Sequence, residues 1–101
     1  MLELWEILVP TIDNDGKPFK TRYHKVWDAK VLEITGGVSI MAPLRGKWVN
    51  EGKLYDERNI PVRIACYRED IFKILEFTRK YYSQIAIMAY KISEDVIIYE
   101  G

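Results

Sequence analysis

One cysteine, one histidine and no surplus of either charge, with 15 Lys+Arg against 15 Asp+Glu, limit what these 101 residues can do. A single cysteine, Cys66, cannot form an internal disulfide, and its apolar setting (IACY) reads as a small buried hydrophobe. A lone histidine with no Cys or carboxylate cluster supplies no set of three or four metal ligands, so neither a metal nor another cofactor is expected. Balanced charge gives no net field to draw in nucleic acid or a membrane, and either partner would need a local basic patch. No apolar run approaches the ~20 residues that cross a bilayer. The segment MLELWEILVP carries Glu3 and Glu6, no basic residue and no small-residue cleavage site. It reads as a strand and not a signal peptide, and the expected location is cytoplasmic.

What is present is ordinary globular material, 49% hydrophobic and 30% charged, in an amount that fits a single domain spanning residues 1–101. Leu2 to Val9 is rich in β-formers and apolar on both alternating sets, with Trp5, Ile7 and Val9 opposite Leu2, Leu4 and Leu8. TIDNDGKPFK is dense in turn formers. As a calcium loop it fails, because Arg22 falls where a bidentate glutamate is required. Thr21 is a candidate N-cap for a helix whose stripe is Tyr23, Val26, Trp27, Val31 and Ile34, ending at Gly36.

From Val38 the period becomes two. Strands over 38–49 and 54–67 flank NEGK, where Gly52 suits the left-handed position of a hairpin loop. REDIFKILEFTRKYYSQ is a helix with acids in its first turn and bases in its last. Its buried stripe is Ile71, Ile74, Leu75, Thr78 and Tyr82, so Leu75→Ala should cost about 2–5 kcal/mol. A strand through Ile85–Ile92 and a short further one in DVIIYE complete the order. This is an α+β, ferredoxin-like βαββαβ sandwich with an extra C-terminal strand and an antiparallel sheet. Such a sheet leaves one face bare, and here that face is apolar, which points to a homo-oligomer joined through it.

The candidate chemistry gathers in GGVSIMAPLRGKWVNEGKLYDER, residues 36–58. RGKW fails as a phosphate loop. Met41 stands where the first glycine belongs, and Trp48 replaces the magnesium-binding hydroxyl. What remains is a hairpin presenting Arg45, Lys47, Trp48, Glu57 and Arg58. The cations supply charge, the tryptophan a stacking face and the glutamate an orienting acceptor. The same residues would serve as an interface tryptophan among solvated cations. ERNIPVRIACY does not match the aromatic run of an RNA-recognition strand, so nucleic acid is not an expected partner. His24, four residues before Asp28, could be an oriented general base or simply a surface pair one helical turn apart.

Gly36, Gly37, Ser39 and Ile40, then Gly46 and Trp48, Gly52, Glu57, and Tyr82 with Gln84 form a pattern that resembles small proteins of ferredoxin-like, PII-like fold. The resemblance implies that fold and brings no activity with it. The reading these residues favour is a non-catalytic oligomeric module that binds a small anionic ligand or a protein near the hairpin. The alternative is a small dimeric α+β-barrel-type enzyme using His24 or a tyrosine as acid/base. RNA binding through the basic and aromatic hairpin stands third.

Overall fold

The computed structural model describes residues 1–101. In chain order the elements are β1 (Glu3–Pro10), α1 (Thr21–Thr35), β2 (Ser39–Ile40), β3 (Leu44–Asn50), β4 (Lys53–Cys66), α2 (Arg68–Tyr81) and β5 (Ala89–Ser93). All strand pairings are antiparallel. Strand β4 pairs with β1 on one edge and with both β2 and β3 on the other, and β5 adds to the far side of β1. The result is the expected α+β architecture, five strands and two helices.

Alternation sorts β1 and β4 into two faces. Trp5, Ile7 and Val9, with Val62, Ile64 and Cys66 from β4, form one side of the core. Trp27 and Val31 of α1, Ile71 and Ile74 of α2, and Tyr82 close it from above. Cys66 is buried as its context predicted, and burial pushes its thiol up to about 11. No helix is long and apolar enough to cross a membrane.

Several local expectations are corrected. Thr21 is the first helical residue of α1 and caps nothing; Lys20 holds the cap position. Val26 belongs to the expected stripe yet is 56% exposed, and Leu75 is only half-buried. Tyr82 lies past the end of α2, at its C-cap, although it is fully buried. The strand expected over 38–49 is broken into β2 and β3 around Pro43, which has no N–H to give the ladder. Only Ala89–Ser93 of the segment after α2 joins the sheet, and the predicted strand in Asp95–Glu100 does not form. The fifth strand therefore comes from the break in the second, not from the tail.

Two turns follow the expected chemistry. Gly36 closes α1 in the left-handed region (φ 81°), its N–H donating to Leu32 O. Glu51 and Gly52 both have positive φ, 52° and 76°, in the two-residue loop between paired Asn50 and Lys53. That combination matches the twist of a hairpin.

Candidate ligand site on the open sheet face

Beyond Pro10, which pairs with Asn59, β4 runs on without β1 and is accompanied only by β3. The two form a ribbon projecting from the sheet. Its register pairs Leu44 with Asn59, Gly46 with Glu57 and Trp48 with Tyr55, all on the face that carries Leu8 and Pro61, away from the helices. Arg45, Lys47, Asp56 and Arg58 fall on the opposite face.

The five residues expected to form one site are thus divided. Trp48 and Glu57 share a face, while Arg45, Lys47 and Arg58 lie behind them. Arg45 is committed to Asp56, its Nε donating to Oδ1 at 2.8 Å and Nη2 to Oδ2. The guanidinium holds the Asp56 carboxyl below its usual range, and Lys47 adds to that pull. Trp48 is 46% exposed and stacks on Tyr55 with ring centroids 4.4 Å apart. Lys53 Nζ lies 5.1 Å from the Tyr55 ring centre, so the aromatic pair already holds a cation at its outer end.

Inward from Trp48 the face opens into a hollow of about 570 Å³. Its apolar wall includes Leu8, Leu44 and Met88, and its polar groups are Glu57, Asn59 and Gln84, with Lys47 at its border. Gly46 sits in its floor. It lies within β3, its φ is not positive, and a Cβ there would meet nothing within 4 Å. Its missing side chain leaves room. Gln84 Nε2 donates to Tyr82 O at 2.9 Å, which leaves its carbonyl oxygen unpaired.

The open face is not apolar throughout. Glu6, 5% exposed, accepts from Arg63 Nε at 3.0 Å and from the Tyr90 hydroxyl. Sequence alone does not show this row, because Glu6 stands singly among apolar residues of β1 and its partners lie 57 and 84 residues away. Its signal was the cross-strand pairing of Glu6 with Arg63, which only the register reveals.

His24 lies elsewhere, between the helices. Its Nδ1 is 2.7 Å from the Tyr82 hydroxyl, within a cluster that includes Phe19, Tyr23 and Tyr81. Burial lowers the His24 pKa against the opposing pull of Asp28, and burial also raises Asp28. Tyr82, more deeply buried, has its phenol pushed far up. The contact between imidazole and phenol joins two helices, and neither group borders the hollow.

No family model and no curated protein matches the chain. Solved structures do. The periplasmic divalent cation tolerance protein CutA of Archaeoglobus fulgidus superposes with a TM-score of 0.71 at 14% identity, covering 97% of this chain and 88% of that one. CutA1 of Oryza sativa gives 0.70 at 10% identity, over 96% and 83%. A phage SAM lyase in complex with S-methyl-5'-thioadenosine gives 0.63 at 15% identity, over 91% and 89%. At these identities the likeness is one of fold: the chain has the CutA-type ferredoxin-like architecture.

Proposed function

We propose that residues 1–101 act as one non-catalytic module that associates with its own copies through the open sheet face and holds a small ligand in the hollow beside Trp48. The carrying observation is surface. The chain exposes 7213 Å², whereas a typical monomer of its 11.9 kDa exposes about 5,900 Å². The excess of about 1,300 Å² is of the order that a specific interface covers. Much of the excess apolar surface lies on the ribbon and its surroundings, including Trp48, Leu44 and Met88 on the open face and Val49 and Leu54 behind it.

Of the neighbours, CutA is named for divalent cation tolerance, while the phage SAM lyase is named as an enzyme and was solved in complex with S-methyl-5'-thioadenosine, so a small-molecule site is common ground and catalysis is not. The enzyme reading draws less from the geometry, because His24 and Tyr82 are spent on each other. An anionic ligand would need Arg45, Lys47 and Arg58, which the register sets on the face away from Trp48.

Sedimentation of the wild type at micromolar concentration should give a mass above one chain. Met88→Glu, which places a charge on the open face without touching the core, should shift it to one chain. A monomeric wild type would end the association reading.

A further inference from the structure

We infer that the hollow beside Trp48 takes a small organic cation, an ammonium or guanidinium carried on a flat or apolar body; this names the ligand class and rests on the hollow being a ligand site. Three observations converge. The first is the room made by Gly46. A glycine inside a strand weakens it and is kept for a bend, a close approach or space. Here the φ is not positive and no atom lies within 4 Å of a built Cβ, so space is what it provides.

The second is the ring. Tyr55 covers one side of Trp48 but does not border the hollow, whereas Trp48 does. Indole is the best aromatic partner for a cation, and the same aromatic pair already draws Lys53 to its outer end.

The third is the sign of the polar groups. The Glu57 carboxylate is half-buried and has neither an ion pair nor a hydrogen bond. Gln84 spends one of its two N–H groups on Tyr82 O and keeps an unpaired oxygen, and the Asn59 side chain can add another. Lys47 borders the hollow, yet it pairs in register with Asp56 and acts on that carboxylate from the opposite face. The amides serve a ligand of either sign, so the preference comes from one unbalanced negative charge, Glu57, beside an indole. A cation gains from both; an anion would meet Glu57 with no fixed positive partner.

Three probes of one shape separate the cases: benzamidinium, benzamide and benzoate. Binding is read by amide NMR shifts and by the fluorescence of Trp48, the exposed one of three tryptophans. Benzamidinium should bind saturably, benzamide about tenfold more weakly, and benzoate more weakly still. Glu57→Gln should weaken benzamidinium about tenfold, and Gly46→Leu should abolish binding while keeping the wild-type circular dichroism. Benzoate binding as tightly as benzamidinium, an unchanged Glu57→Gln, or no saturable benzamidinium binding up to its solubility limit would each overturn the inference.

Mass is measured in parallel, so the two readings fail separately. A monomer that binds benzamidinium refutes association alone, and an oligomer that does not bind refutes the site alone. Binding at unchanged mass identifies a free ligand. Binding that dissociates the assembly identifies the cation as a lysine or arginine of a neighbouring copy.

Discussion

Tyr82 stands one residue past α2, and the 2.7 Å contact between its hydroxyl and His24 Nδ1 links the far end of α2 to the start of α1. The buried phenol stays protonated, and as a hydroxyl it can donate to a bare Nδ1 or accept from Nδ1–H, so the contact serves either tautomer of a neutral ring. The direction of the His24 shift agrees: burial lowers its pKa from 6.5. An unfolded chain then binds the proton more readily than the folded one. The stabilising contribution is complete above pH 6.5 and is lost as pH falls from there toward the folded pKa. Asp28 works in the opposite sense and lower down, its raised pKa removing stability as pH climbs from 3.8. Urea unfolding should thus show wild-type stability falling between about pH 7 and pH 5. In His24→Gln, which keeps an acceptor for Tyr82, the fall should be flatter. Equal pH slopes for the two proteins would show that His24 is not the titrating group. Leu75 carries a second residue-scale expectation. Being half-buried beside the hollow, it should lose less on truncation than Ile74, whose change to alanine should cost about 2–5 kcal/mol in the same assay.

At the scale of elements, what the sequence disclosed followed its periodicity. Strand β4 shows a clean alternation of Val62, Ile64 and Cys66, and α2 carries Glu69 and Asp70 at its start and Arg79 and Lys80 at its end. Both were readable because local pattern and tertiary burial agree there. The break between β2 and β3 was harder to read. A proline at position 43 removes one N–H, but the gap spans residues 41–43, with Met41 N still donating to Pro61 O at 3.0 Å. The Asp95–Glu100 segment misled because its β-formers give propensity alone: the outer edge of β5 is open beside it, yet the segment does not pair there. The site was legible in composition and less so in arrangement: alternation along β3 already parts Arg45 and Lys47 from Trp48, but only the register with β4 sets Glu57 opposite Gly46 on the face away from the helices. Register also joins Glu6 to Arg63, and this pair carries the element-scale prediction. Removing the guanidinium in Arg63→Met leaves a buried carboxylate supported by Tyr90 alone. Because Arg63 is itself partly exposed, the cost should be about 1–3 kcal/mol, less than for a fully buried pair. Chemical denaturation measures it. A loss below that range would mean that water already solvates Glu6.

Over the whole molecule, shape and core tell against an isolated chain. The radius of gyration is 14.2 Å, against about 13 Å for a compact domain of this length, and the longest extent is 48 Å against 23 Å for the shortest. The projecting ribbon accounts for much of that length, and its outer half has no layer packed on either face. Only 15 of 101 residues are buried, which leaves a small core to hold a long sheet. A chain built this way should draw part of its stability from its copies. Partners that bind the folded state and not the unfolded one raise apparent stability by mass action. The melting temperature should therefore climb with protein concentration, by about 4–8 °C for each 1 kcal/mol that association contributes in a domain of this size. Met88→Glu should melt at one temperature whatever its concentration, near the dilute limit of the wild type, because the charge acts on the open face and not on the core. Scanning calorimetry over a hundredfold dilution series tests both halves. A wild-type melting temperature that does not move with dilution, in a protein shown to sediment as one chain, would mean that the core alone sustains the fold and that the bare face is left to the ligand.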